Sequence, residues 1–251
     1  MNAGTGPYPP GRAVNGHAGV PPLTGLGRHF ALRVTLRGEL DPASQYLVNI
    51  KRIDDVVRDR GIATVTAAVE EQTAPPALAA ELFARLRDGW GTANVDAISL
   101  SLSPFLCVSA LASELPMVRL SQKFEFSAAH RLHNPALTEE ENYATFGKCN
   151  NPHGHGHNYE LQVTLAGEPD ANGRLIDVPE FERIVASTVI ERFDHKHLNI
   201  ETAEFRETIP SVENIAKVIY GLLKPALRIG STKLVAVTVW ETPKTWCEYS
   251  E

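Results

Sequence analysis

The sequence predicts an α+β protein of two tandem modules, each an antiparallel sheet with two helices on one face. Three observations predict it: an internal repeat, apolar residues alternating with period two where each copy begins, and amphipathic helical runs after them. Residues 30–41 align with 159–170 at an offset of 129 (Val34 against Val163), sharing Val-Thr-Leu-x-Gly-Glu. After a one-residue gap, Leu47-Val-Asn-Ile50 matches Leu175-Ile-Asp-Val178, and residues 53–57 match 181–185 in apolar positions.

Each copy reads in the same order. An alternating strand leads through a Gly/Asp turn into a second strand. A helix follows, near 52–59 in the first copy and 179–192 in the second, where Pro179 suits a helix start. Second helices are expected at 77–90 and 212–227. Final strands are expected at 97–108 and 233–241, with 246–249 after a turn. Strands followed by helices imply an antiparallel sheet covered on one face. Residues 1–22 hold ten Gly or Pro and little aliphatic pattern, so a disordered tail is expected there, with His17 solvated. The domains expected are 1–22, 23–115 and 116–251. The strand at 124–130 has no clear counterpart in the first copy.

Composition narrows the partners. Of 251 residues, 43% are hydrophobic and 22% charged, as in ordinary globular proteins. A net charge of -6 argues against a nucleic-acid or anionic-membrane partner. Three widely spaced cysteines (Cys107, Cys149, Cys247) make no disulfide framework and suit a reducing compartment. No run has the roughly 18 apolar residues of a membrane span, and no signal-peptide layout opens the chain. A cytoplasmic protein is expected.

The chemistry gathers in the second copy. His155-Gly-His157 runs into an alternating strand, so both imidazoles share a face with Tyr159, Leu161 and Val163. His130 shares parity with Phe124, Phe126 and Ala128 on the preceding strand. Three imidazoles with an open fourth position describe a catalytic zinc site rather than a structural one. His153 also forms His-x-His with His155, so a second register exists; it is read here as a loop residue. Cys149 lies in a Gly/Asn/Pro-rich loop beside the expected cation, where thiolate is favoured. As a fourth ligand it would close the site, so it is read as a base. Asp194-His195 places a carboxylate where it can orient an imidazole; His197 is read as structural. Glu241 has the parity of Val235, Val237 and Val239 and so points inward, where a ring with two adjacent N–H donors would satisfy it. Ser211-Val-Glu213-Asn214 reads as a capped helix start.

Together these residues resemble the family of 6-pyruvoyl-tetrahydropterin synthase and 6-carboxytetrahydropterin synthase. The resemblance runs from about Val118 to Glu251. It rests on Phe-Ser-Ala-Ala-His130-Arg-Leu-His-Asn, Phe146-Gly-Lys-Cys149-Asn-Asn-Pro, His155-Gly-His157-Asn-Tyr, Asp194-His195, Ser211-Val-Glu213-Asn214 and Glu241-Thr. It implies the tunnelling fold, assembled as trimer-based homo-oligomers. It implies Zn2+ on His130, His155 and His157, Cys149 as base, and Asp194 with His195 as a second acid/base element drawn from a neighbouring subunit. Glu241 and Glu213 would bind the pterin of 7,8-dihydroneopterin triphosphate, which loses triphosphate to give 6-pyruvoyl-tetrahydropterin. The alternative is the carbon–carbon cleaving relative of queuosine-type biosynthesis, which releases acetaldehyde as well. The Asn-Asn-Pro insert and Asn158-Tyr159 favour the first. A non-catalytic pterin-binding or assembly protein is a third reading. In the first copy Arg28 and His29 stand at the positions of His157 and Asn158, and Ser103 at that of Glu241, so 23–115 is expected to lack a metal site. Cys107 and Cys247 are read as packing residues.

Overall fold

A computed structural model describes residues 29–251. The expected tail at 1–22, with His17, and the repeat position Arg28 lie outside them. The chain divides into two compact units. One comprises residues up to Leu120 with Gly167–Leu175; the other comprises Ser121–Ala166 and Ile176–Glu251.

In the first unit, β1 (Ala31–Arg37), β2 (Asn94–Ser101) and β3 (Leu106–Leu111) form an antiparallel meander, with Val34 opposite Ile98 and Ile98 opposite Ala110. Ile98, Leu100, Val108 and Ala110 are buried on one face, as period two requires. Helix α1 (Ile50–Val56) starts at Asn49, whose side chain accepts the Lys51 N–H. It continues through a π-helical turn, Val57–Ile62, into α2 (Ala63–Glu71), which ends on left-handed Gln72. Helix α3 (Pro75–Leu86), with Pro in its first turn, supplies Leu78, Leu82 and Leu86 to the core and packs on β2 and β3.

Three expectations fail. The strand expected at 97–108 is two strands, because Ser103 turns the chain: its Oγ accepts the Phe105 and Leu106 N–H groups. The helix expected at 52–59 extends to Glu71, since the π turn carries it past Gly61. The second strand expected after the Gly/Asp turn of each copy is also absent; the chain there runs from a turn into the helices that begin at Ile50 and Val178.

The second unit is built on β4 (Val118–His130, from Ser121 onward), β5 (His155–Gly167), β7 (Lys233–Thr242) and β8 (Thr245–Tyr249), neighbours in that order. The short β6 (Lys196–His197) runs parallel to β4, with Ala129 opposite His197. Between β4 and β5 lie α4 (Glu139–Phe146), held by a Thr138–Glu141 capping box, and the 3-10 turn Gly147–Asn150. Helix α5 (Val178–Val185) passes through a π turn, Ala186–Ile190, into α6 (Glu191–Phe193). After α7 (Leu198–Glu201), α8 (Val212–Ala226) packs on β7 and β8 and buries Ile215, Ile219 and Leu223. Phe126 stacks on Tyr159 with ring centroids 5.0 Å apart, and Phe124 meets Phe181 edge-on at 5.8 Å.

Irregularities recur between the units. The β1–β2 register shifts between Thr35 and Leu36, and the β5–β7 register between Thr164 and Leu165, the same offset as the sequence repeat. Each unit's first long helix carries a π turn, beginning at Val57 and at Ala186. Among the described residues, no helix is long and apolar enough to cross a membrane.

Candidate metal centre and acid–base dyad

Side chains from three strands converge at one end of the second unit's sheet. His130 is the last residue of β4, and His155 and His157 open β5 on one face. Glu241 lies near the end of β7, where the register against β8 shifts between Trp240 and Thr242. Such a bulge re-aims a side chain. His130 Nε2 is 3.1 Å from His155 Nε2 and 3.1 Å from Glu241 Oε1. His157 Nε2 is 3.4 Å from the same oxygen. One ligand atom from each of the four residues lies within 4.8 Å of the others.

The surroundings fix the imidazoles. His130 is fully buried, and its Nδ1–H donates to the Pro210 carbonyl at 2.7 Å, which leaves the Nε2 lone pair facing the cluster. The Tyr159 hydroxyl lies 3.3 Å from His130 Nδ1. Burial lowers the pKa of both His155 and His157, helped by the neighbouring imidazoles. The imidazoles hold Glu241 below the usual carboxylate range, His130 first and then His157 and His155. A divalent cation takes imidazoles neutral and carboxylates ionised, the directions in which His155, His157 and Glu241 are shifted. His157 Nε2 and His155 Nδ1 are buried without a hydrogen-bond partner. Zn–N bonds of 2.0–2.1 Å in a tetrahedron separate ligand atoms by about 3.3 Å, close to the spacings observed. The donor set therefore fits a zinc-type ion.

Cys149 sits in the 3-10 turn, near enough to Glu241 for that charge to act on it. Burial and then Glu241 push its thiol pKa up, the reverse of the shift expected from sequence. The protein groups alone favour the thiol; the thiolate expected there needs a cation's charge. His153 is exposed in the turn before β5, outside the cluster. Gly154, at φ +73°, has no room for a side chain: a Cβ would lie 2.6 Å from His197 Nε2 and 3.0 Å from the His130 carbonyl. His197 thus wedges the turn that delivers His155.

Asp194 caps α6. Its Oδ1 accepts the Ser127 N–H at 2.8 Å and its Oδ2 accepts His195 Nδ1–H at 2.8 Å. These bonds, Ser127's first, hold its pKa below the usual range. The His195 side chain is 82% exposed, with a left-handed backbone at φ 57°. A cleft of about 600 Å³ is lined by Ser127, His157, Asn158, His195, Lys196 and His197. Glu213 is exposed in the first turn of α8, where Ser211 Oγ accepts the Asn214 N–H. Ser103, which the sequence reading aligned with Glu241, is exposed and spent on its own turn. Burial raises both Cys107 and Cys247. Sequence reasoning turned Glu241 inward but missed its contact with the imidazoles, and it missed the Pro210 carbonyl and the His197–Gly154 wedge. The strand parity of Glu241 and the glycine at 154 were the signals available.

Fold and site define an α+β protein with a candidate centre of three histidines and one glutamate. A profile of the family described as 6-pyruvoyl tetrahydropterin synthase matches residues 119–251, and the chain belongs to that family. The human 6-pyruvoyl tetrahydrobiopterin synthase is 38% identical over 125 residues, 49% of this chain and 85% of the relative. The solved 6-pyruvoyl tetrahydropterin synthase of Caenorhabditis elegans is 39% identical, with TM-score 0.51, covering 54% of this chain and 96% of that one. A 6-carboxy-5,6,7,8-tetrahydropterin synthase of Haemophilus influenzae is 28% identical over 156 residues, 54% of this chain and 100% of the relative.

Proposed function

We propose that the protein is a zinc-dependent lyase converting 7,8-dihydroneopterin triphosphate to 6-pyruvoyl-tetrahydropterin with loss of triphosphate. The observation that carries it is the convergence of His130, His155, His157 and Glu241 beside Cys149. The higher identity to the pyruvoyl enzyme than to the carboxy enzyme supports the same reaction.

His130, His155 and His157 would hold the zinc, with the Pro210 carbonyl fixing the first ring. When bound, the ion would supply Lewis acidity toward the hydroxyls of the substrate's side chain. Cys149 takes a proton from the side-chain carbon, and triphosphate departs with the electron pair of the broken carbon–oxygen bond. His195, oriented through Nδ1 by Asp194, moves the proton at its free Nε2 while the hydroxyketone left by elimination passes its two hydrogens to the ring's N5=C6 bond, so that the side chain is oxidised to a diketone as the dihydropterin is reduced to the tetrahydropterin. Glu213 and Glu241 are the carboxylates offered to the pterin's adjacent N–H donors. Residues 23–115 are a second copy of the module that lacks this machinery and serves sheet and interface, a reading supported by the recurring bulges and π turns. The working assembly is a trimer-based homo-oligomer acting in the cytoplasm.

The test incubates purified, zinc-loaded full chain with 7,8-dihydroneopterin triphosphate and resolves the products. Triphosphate without acetaldehyde is expected. Acetaldehyde would move the protein to the carbon–carbon cleaving reaction of queuosine-type biosynthesis. No turnover would leave a pterin-binding or assembly protein.

A further inference from the structure

We infer that Arg131 is a positioning residue: it suspends the turn that carries Cys149 from the end of β4, and Asn199 holds it there. The inference rests on the reading of Cys149 as a base and adds the residues that place it. Gly147–Asn150 is a 3-10 turn of four residues. Such turns have poor hydrogen-bond geometry of their own and gain from outside support. Here the support comes from the three residues that follow His130. The Leu132 N–H donates to the Cys149 carbonyl at 2.9 Å. The Arg131 Nε–H is shared between the Asn150 carbonyl at 3.0 Å and the Asn150 Oδ1 at 3.2 Å. His133 Nδ1 lies 3.0 Å from the same Oδ1. Arginine has no acceptor, so the oxygen of the Asn150 carboxamide must face it. Asn150 is buried, where that oxygen needs its donors.

Arg131 is itself held. Asn199 Oδ1 accepts its backbone N–H at 2.8 Å, and Asn199 Nδ2–H donates to its carbonyl at 3.0 Å. Asn199 follows His195 by four residues, and β6 between them pairs with β4. The path Asn199–Arg131–Asn150 therefore ties the segment of the acid–base dyad to the turn of the thiol through one residue. The ion pair of Arg131 with Glu139 explains none of this. It is 4.0 Å long, to a carboxylate 75% exposed, and such pairs contribute little. The turn depends on where the donor stands, not on the charge behind it. A base displaced by about 1 Å can lose about 10²-fold in rate.

Two variants of the zinc-loaded full chain test this. Arg131→Met removes the donor. Arg131→Lys keeps the charge but sets a methylene where Nε stands. Amide hydrogen exchange reads the turn without turnover. In both variants the Leu132 N–H should exchange at least about tenfold faster, because a charge-assisted bond that kept its acceptor in place is gone. The Leu161 N–H in β5 should keep its wild-type rate. With 7,8-dihydroneopterin triphosphate, kcat should fall by about 10²-fold while KM and zinc content stay at wild-type values. Unchanged exchange at Leu132 overturns the inference, and so does an equal rise at Leu161, which marks general loosening. A lysine variant that matches wild type would assign the effect to charge, and loss of zinc would assign it to the adjacent His130; either result sinks the inference. Wild-type protein that turns nothing over would end the lyase reading, and exchange at Leu132 would still decide whether Arg131 holds the turn.

Discussion

Cys149 carries the sharpest prediction at the residue scale. As a base and not a ligand, its replacement in Cys149→Ala should leave one zinc per chain while turnover falls by about 10²–10⁴-fold. Metal content and initial rates measured on the same preparation check it, and loss of metal would mean a ligand had been taken for a base. Asp194 gives a second. Its folded pKa is depressed by the Ser127 N–H and by His195, so its bonds contribute stability that is complete above the unfolded value of about 3.9. That contribution disappears as pH falls through the lower folded value. Melting temperatures of wild type and Asp194→Asn should differ at pH 6 and converge toward pH 2; a constant gap would contradict the assignment. The imidazole cluster was legible in the sequence because period two fixes which face a strand residue takes. The position of Glu241 among the rings was not, since a local shift in register sets the direction of its side chain. Nor was Pro210, which meets His130 from 80 residues away.

At the scale of elements, the turn before β5 sets where His155 begins. Gly154 is left-handed and pressed between the His197 ring and the His130 carbonyl. Gly154→Ala should cost about 1–3 kcal/mol of stability and loosen zinc, read by denaturant unfolding of the apo protein and by chelator competition. Wild-type values in both would show that the turn has slack. A milder change, Thr138→Ala, removes the capping box of α4 and should cost about 0.5–2 kcal/mol without altering metal affinity. Regular elements were legible wherever one periodicity ran uninterrupted, as in β4, β5 and α8. They were misread where it broke. The π turn at Val57–Ile62 adds a residue per turn and rotates the apolar stripe, so the first helix looked shorter than it is, whereas the helix expected at 179–192 was read correctly across the turn at Ala186–Ile190. Apolar residues continue from β2 into β3 across Ser103, which hid a turn built by a hydroxyl.

For the whole molecule, a recurring order of strands and helices need not mean recurring chemistry. The repeat offset survives in the structure as paired bulges and paired π turns, features with no pattern of their own in the sequence. The site does not repeat. Among the described residues, the group of His, Cys, Asp and Glu side chains that could hold a metal is His130, His155, His157 and Glu241, all in the second unit. Ser103, which the sequence alignment sets against Glu241, is a neutral hydroxyl already bonded to its own turn, and His29 is exposed. A cation needs several converging lone pairs and a compensating charge, and a lone exposed imidazole supplies neither. The full chain should therefore bind one zinc per chain, not two. Elemental analysis after exhaustive dialysis would read this directly. The triple variant His130→Ala, His155→Ala, His157→Ala should retain none, while a second equivalent surviving in it would place a metal site in the first unit.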